Sequence, residues 1–393
     1  MRLLHTSDWH LGHALHGVGR EREHAAFLAW LLDAIVAERV DAVLITGDIF
    51  DGSVPPASAE AMWFGFLAEA VRRVPGLRII VIGGNHDSPA RLAAPAPLQA
   101  ALGVTVIASM PRDPEDAVIE LDGAVIAAVP FLRPFDLPAV EDPVAAIRTI
   151  YMGALDAARA RRRGRPIVLT GHLFIAGASP SVLSERRIVS GGVEAIDGGV
   201  FPDDVAYVAL GHLHRAQRVG REHVRYAGSP IPLAMVEAEY RHQVMLVDLD
   251  GDAPVVLRPL YIPRTIELVR IPRHGALPLD EALVAIAALP PATEDLDERP
   301  LLEVAIALPE PQPRLRDKIE AAVADRAVRL VKIHAALTGD RAALADVATG
   351  RGLAELDPRE VLERRWSRDH DAPVPPEVAR AFDELLEQAR SAP

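Results

Sequence analysis

The chain has 393 residues, half of them hydrophobic, which is too long for one ordinary core and predicts two or three domains that each bury their own apolar centre. With 55 acidic against 42 basic side chains, the formal charge of -13 excludes a surface that attracts polyanions as a whole, so any nucleic-acid contact must rest on a local basic or metal-bearing patch. Cysteine is absent, which excludes disulfides and thiolate metal sites and leaves histidine, carboxylate and amide groups as metal donors.

The first element is a strand in "RLLHTSD", followed by an amphipathic helix over 21 to 39 that carries Phe27, Leu28, Leu31, Leu32, Ile35 and Val36 at spacings of three and four. "DAVLITGD" reads as the next strand, "ASAEAMWFGFLAEAVRRV" as the next helix and "LRIIVIGG" as the third strand. This βαβαβ order implies a parallel sheet with helices on its faces. A hairpin in "ELDGAVIAAVP" turns at Asp122 and Gly123, a helix runs near 143 to 161, and two further strands lie in "PIVLTGH" and "VAYVALGH". A last hairpin in "QVMLVDLDGDAPVVLRPLYI" turns at Asp250 and Gly251 and closes a first domain at residue 263. A smaller unit follows over 264 to 345, with strands in "TIELVRI", "LLEVAIAL" and "VRLVKIHAAL" and helices in "LDEALVAIAAL" and "PRLRDKIEAAVA". Residues 346 to 393 predict a tail of two short helices, the first opening at Asp357 and Pro358 and the second near Pro375. No stretch reaches the roughly 20 uninterrupted apolar residues of a membrane span, so a soluble cytoplasmic protein is expected.

Five apolar runs of the first domain end in metal-type residues. They lead to Asp8 and His10, to Asp48, to Asn85 and His86, to His172, and to His212 and His214. A lone Asp-x-His or Gly-Asp is a common accident. Five at strand ends of one domain are not, because in an open α/β sheet the loops beyond the carboxyl ends of the strands meet at one edge. The donor set suits a pair of divalent ions that clamp a phosphoryl group and activate water, with Asp48 as the natural bridge. Histidine, carboxylate and amide donors together favour Mn²⁺, with Fe²⁺ or Zn²⁺ open, over Mg²⁺, which prefers oxygen throughout. His86 directly follows Asn85 and is the candidate that acts on the substrate, either steadying the transition state or protonating the leaving oxygen.

These motifs, Asp8-x-His10, Gly47-Asp48, Gly84-Asn85-His86-Asp87, Gly171-His172 and Gly211-His212-x-His214, resemble the calcineurin-like metallophosphoesterase superfamily. "LHTSDWHLG", "TGDIFD", "GNHDSPARL" and "YAGSPIPLAMVEAEYRHQVMLVDLDG" are closer still to the nuclease subunits of bacterial double-strand-break repair complexes. The resemblance implies an α/β fold: a mixed β-sandwich flanked by helices, then a small α+β capping domain that contacts DNA, then the helical tail. It assigns one metal to Asp8, His10, Asp48 and His214 and the other to Asp48, Asn85, His172 and His212. It gives His86 the transition-state role and puts Asp51 where it can hold that histidine. It also implies a Mn²⁺-dependent exonuclease on duplex ends and endonuclease on single strands and hairpins, acting at the nucleoid. The nuclease would be a homodimer within a heterotetramer, its tail bound to an SMC-type ATPase. The helix over 57 to 74, crowded with Met62, Trp63, Phe64, Phe66 and Leu67, is the candidate dimer face.

Two other readings stay open: a phosphodiesterase acting on small nucleotides with the same core, and an assembly subunit with a vestigial metal site. His13 and His16 sit in a loop beside the site and either touch phosphate or face solvent, and the remaining histidines read as incidental. Arg186, Arg187, Arg215, Arg218, Arg221 and Arg225 flank the metal loops and either track a DNA backbone or are ordinary surface arginines.

Overall fold

The computed structural model describes residues 1–138, 142–181, 195–251, 253–292, 296–310 and 312–337, together with isolated positions beyond. The chain divides into two compact units, Met1–Ala307 with Pro313–Ala336, and Leu308–Gln312 with Leu337–Pro393. The tail helices expected in 346 to 393 fall almost entirely outside the described residues.

Strands form in the first unit where β-branched and leucine side chains alternate between two apolar environments. Leu4, Val43, Ile45, Ile79 and Val81 face outward onto Phe27, Leu31, Trp63 and Phe66 of the helices Glu21–Ala37 and Ala57–Arg73. Leu3, Ala42, Leu44, Ile80 and Ile82 face the other way and meet Ile126, Val168, Tyr207 and Ala209 of a second sheet. Two six-stranded sheets therefore stack face to face. The outer face of the second sheet is covered by the helix Pro143–Arg161 through Ile147, Tyr151, Ala154 and Leu155.

The first sheet runs in the order Val256–Tyr261, Gln243–Asp248, Arg2–Thr6, Ala42–Thr46, Arg78–Ile82, Val104–Ile107. Its last four strands are parallel, as the βαβαβ order requires, while the late hairpin joins antiparallel beside the first strand, pairing Arg2 with Asp248. In the second sheet Ile167–His172 and Tyr207–Gly211 run parallel at the centre. The sandwich is thus mixed, as the family resemblance implies, rather than the single parallel sheet that the βαβαβ pattern alone suggests.

Burial of a Leu, Ile or Val contributes about 1.5–3 kcal/mol, and a polar group between the sheets costs a comparable amount unless it is paired. His5, fully buried on the inner face, has both partners: its Nδ1 lies 2.8 Å from the Tyr207 hydroxyl and its Nε2 lies 2.9 Å from Thr46 Oγ1. Burial holds its imidazole neutral, its pKa pushed down to about 3.

Residues 268 to 337 carry a four-stranded sheet, with Leu301–Leu308 paired to Leu268–Ile271, Leu277–Pro278 and Arg329–Leu337, and helices Leu279–Ala287 and Leu315–Val323. The strand expected from residue 265 begins only at Leu268, in register with Leu301 at the start of its partner strand. Among the described residues no helix is long and apolar enough to cross a membrane.

Candidate metal centre

Both sheets point the carboxyl ends of their central strands at one seam. The strand Arg2–Thr6 runs into Ser7, Asp8, Trp9 and His10, Ala42–Thr46 into Gly47 and Asp48, and Arg78–Ile82 into Gly83, Gly84 and Asn85. From the facing sheet, Ile167–His172 ends on His172 itself, and Tyr207–Gly211 delivers His212 and His214. Asp8, His10 and His214 bring ligand-type atoms within 4.8 Å of one another, and so do Asp48, His172 and His212; all six side chains are buried.

The backbone is bent hard to achieve this. Asp8 (φ 53°), His10 (φ 48°), Asp48 (φ 51°) and His212 (φ 98°) all adopt positive φ, which is unfavourable for side-chain-bearing residues and concentrates at functional sites. Cross-loop hydrogen bonds hold the bends: Asp8 N–H donates to the Gly47 carbonyl (3.1 Å), His10 N–H to that of Asp48 (3.0 Å), and His212 N–H to the Asp8 carboxylate (2.9 Å). The glycines before the donor residues permit the approach. A Cβ on Gly84 would strike the Asp48 side chain and amide, and one on Gly211 would strike the Thr46 carbonyl oxygen and Ser7 Oγ.

Asp48 belongs to the second trio and also reaches the first. Its Oδ2 is 3.6 Å from His10 Nε2 and 3.3 Å from His172 Nε2, while its Oδ1 accepts from the His86 amide at 2.8 Å. Asn85 Oδ1 is 2.9 Å from His172 Nε2 and 3.1 Å from His212 Nδ1. Both ring nitrogens of His10 are buried without a hydrogen-bond partner; its Nδ1 approaches Asp51 Oδ1 at 3.3 Å, outside hydrogen-bond geometry. An imidazole left so is costly, and a cation at Nε2 would satisfy that nitrogen's lone pair.

The electrostatics agree. Burial opposes ionisation of Asp48, yet the His172 imidazole beside it holds its carboxyl well below the usual range. Burial likewise opposes a charged His172, but the Asp48 and Asp8 charges outweigh it and raise that imidazole to about 9. His212 is pushed down to about 3 by burial and then by His172, so the second histidine of that trio stays neutral with a lone pair to donate. Asp87 is raised to about 6 by burial and then by Asp48, and its carboxylate accepts from the amides of Gly84 (2.9 Å), Phe50 (3.1 Å) and Ile49 (3.3 Å), tying two of the loops together. The donor set, the unpartnered His10 nitrogens and the negative field fit a pair of divalent cations.

His86 sits at the rim, its ring centroid 4.7 Å from that of His10. Residue 51 does reach it, but through the backbone: His86 Nδ1 lies 2.7 Å from the Asp51 carbonyl oxygen. The Asp51 carboxylate turns instead to His13 Nδ1 (2.9 Å) and His10 Nδ1 (3.3 Å), so the side chain expected to hold His86 faces a different pair of histidines. His13 is accordingly no solvated loop residue, since its other nitrogen lies 3.0 Å from the Leu233 carbonyl oxygen.

Three contributors stand apart from the strand-end motifs. Glu237, fully buried, places Oε1 3.0 Å from His214 Nδ1 and accepts the Leu233 amide on Oε2 at 2.7 Å. Arg133 donates to the carbonyls of Gly84 (3.2 Å) and Asp87 (3.0 Å), which bracket Asn85 and His86. His24 bonds the Trp9 carbonyl at 2.8 Å, between Asp8 and His10. Only the run "PIPLAMVEAEY" after the last metal loop hinted at Glu237.

The flanking arginines divide. Arg218 and Arg225 pair with Glu222, and Arg221 pairs with Asp203. Arg215 instead lies over the Tyr240 ring, 5.7 Å from its centroid, and Arg241 lies 3.8 Å over Tyr261. Arg186 and Arg187 lie outside the described residues. A cavity of about 670 Å³ lined by Met1, Asp41, Arg78, Glu120 and Asp122 opens beyond the amino ends of the strands and shares no residue with the histidine cluster.

Comparison with known proteins places this geometry. Residues 1–216 match the calcineurin-like phosphoesterase family, and residues 264–370 match a domain described as "Type 5 capsule protein repressor C-terminal domain". The chain is 38% identical over 352 residues to a protein of Rhodobacter capsulatus, covering 84% of this chain and 86% of that one. It is 35% identical over 382 residues to one of Escherichia coli K12, covering 93% and 92%, and 36% identical over 265 residues to one of Bacillus subtilis, covering 63% and 66%. Each relative is named as the SbcD component of the nuclease SbcCD.

Proposed function

The chain belongs to the calcineurin-like phosphoesterase family and, within it, to the SbcD nucleases, and from this premise we infer that it is a metal-dependent DNA nuclease of a double-strand-break repair complex, hydrolysing phosphodiesters. The observation that carries the reading is the pair of buried trios on one seam, with the Asp48 carboxylate of one reaching His10 of the other.

When bound, two divalent cations, which we take to be Mn²⁺, would supply charge to clamp the phosphoryl oxygens and to acidify a water. Asp8, His10, Asp48 and His214 would hold one and Asp48, Asn85, His172 and His212 the other. The protein's own work is to fix these donors and to bring a proton to the substrate. His86, with Nδ1 against the Asp51 carbonyl and its amide bonded to Asp48, presents Nε2 to the scissile phosphate, where a protonated ring stabilises the developing charge or protonates the leaving oxygen. Arg215 and Arg241, over tyrosine rings and outside the ion pairs that neutralise Arg218, Arg221 and Arg225, support a backbone track for DNA leading from the metal loops. A purified chain given Mn²⁺ should degrade linear and hairpin DNA, and Arg215→Ala should slow DNA cutting while leaving hydrolysis of bis-p-nitrophenyl phosphate unchanged. Hydrolysis of the small ester alone, with DNA left intact, would replace this reading by a phosphodiesterase of small nucleotides.

We assign residues 264 to 345 to a capping, DNA-contacting domain and 346 to 393 to docking on an SbcC-like SMC-type ATPase, in a heterotetramer with two copies of this chain at the nucleoid. The helix Ala57–Arg73 buries Trp63, Phe66 and Leu67 in its own core and leaves Phe64 41% exposed, so the dimer face rests on a narrower apolar group than its sequence suggests. Light scattering of the full chain and of residues 1–345, with and without the ATPase, tests both assignments: the shorter chain should stay dimeric and lose the ATPase.

A further inference from the structure

Glu237 is a carboxylate with no solvent exposure, on a short helical turn Met235–Glu237 that belongs to no strand of the sandwich. A buried carboxylate is costly unless both oxygens have partners and a positive charge stands near. Its Oε2 takes the Leu233 amide, and its Oε1 lies 3.0 Å from Nδ1 of His214. Nδ1–H donation puts the lone pair of the neutral imidazole on Nε2. The His214 ring stands 5.1 Å from that of His10 at 72°.

We propose that Glu237 is a positioning residue that fixes the orientation and tautomer of His214, and so sets the affinity of the Asp8–His10–His214 site for its cation; this rests on the metal-dependent reading above. The segment around it is built for the task. Ser229 N–H donates to the His214 carbonyl (3.0 Å), Arg20 donates to the Pro232 carbonyl (2.8 Å), and His13 bonds the Leu233 carbonyl (3.0 Å). Arg20 is itself buried against Glu23. Residues 229 to 237 thus form a strap clamped at three carbonyl or amide groups before it delivers the carboxylate. Met235, two residues earlier, packs with Leu15 and with Ile266, Leu268 and Leu301 of the following domain, so that domain's sheet bears on the strap that orients His214.

Outer carboxylates on metal-bound histidines typically change metal affinity about 10–100-fold. Glu237→Met removes both acceptors at similar volume, and Glu237→Gln keeps one acceptor for His214 without the charge. Calorimetric titration of the full-length, metal-stripped protein with Mn²⁺ should show one of the two affinities falling about 10–100-fold in Glu237→Met and less in Glu237→Gln, with the other affinity unchanged. Melting temperatures in EDTA report the fold separately. A Glu237→Met protein that melts lower yet binds both ions as the parent does, or one whose two affinities fall equally, would overturn the proposal. If Glu237→Met does not fold, an unchanged pair of affinities in Glu237→Gln has the same force. A parent protein that binds no Mn²⁺ would sink the metal-dependent reading itself, a result distinct from any of these.

Discussion

Behind His214 of the Asp8–His10–His214 trio stands a fully buried carboxylate, Glu237 at 3.0 Å, whereas in the Asp48–His172–His212 trio His172 leans on the neutral Thr46 carbonyl at 2.8 Å. An imidazole backed by a carboxylate is the stronger donor, and the added negative charge deepens the well for a cation. Two sites that share Asp48 and take two histidines each should therefore differ in how firmly they hold metal. Part of that difference lies in what supports the donors, which a list of ligands would not reveal.

The largest effect should come from the residue that denies the distinction. Asp48→Asn weakens the group that reaches both trios, so both Mn²⁺ affinities should fall and cutting should drop to background; calorimetry showing two undiminished sites would remove Asp48 from its bridging place. His86→Ala belongs to neither trio. It should keep both ions and lose at least about 10²-fold in strand cutting, the scale of a lost general acid or charge-stabilising donor, and a parallel fall in bound metal would show that it acts as a ligand. Next comes the comparison itself. Dialysis against chelators of increasing strength, followed by elemental analysis, should release one ion per chain before the other, and simultaneous release would mean that the outer carboxylate of Glu237 does not separate the sites.

The smallest effect concerns acid. His24 pins the Trp9 carbonyl inside the first trio's loop and is pushed down to about 3 by burial, from an ordinary 6.5. A base whose pKa is lowered by folding binds its proton only in the unfolded chain between those values. Its stabilising contribution is whole above pH 6.5 and declines as pH falls toward 3, by about 1.4 kcal/mol per unit. In EDTA, the parent should lose roughly 1 kcal/mol more than His24→Gln between about pH 6.5 and about pH 5.5 by denaturant titration. Parallel pH profiles would show that this pin does not titrate on unfolding.

Much of the candidate site was legible because parallel strands deliver their carboxyl ends to one edge, so Asp8, Asp48, Asn85, His172, His212 and His214 could be collected from a line of text, each beside a strand and most beside a glycine. The supporting shell was not. Glu237 lies 23 residues beyond its histidine on a turn with no period, and the direction in which Asp51 points depends on where the loop of His13 comes to rest. Sheet order was hidden for a similar reason. A strand's alternation says that two faces are buried but not which neighbour covers its edge, and the pairing of Arg2 with Asp248 joins the ends of a long sequence interval. Likewise the aromatic crowding of 57 to 74 announced surplus apolar surface, whereas Trp9 takes up most of it from within, packing edge-on against Trp63 and Phe66.

That edge pairing bears on the order in which the enzyme comes into being. The strand leading to Asp8 leaves the ribosome long before the strand that covers its outer edge, Gln243–Asp248, which emerges only after His214 and Glu237. Closing so wide a loop is entropically slow compared with local contacts. A nascent chain therefore carries every donor before it carries the sheet edge that holds the first of them in place. The centre is among the last parts of the domain to be completed, and a half-made polypeptide has the letters of a nuclease without the means to cut.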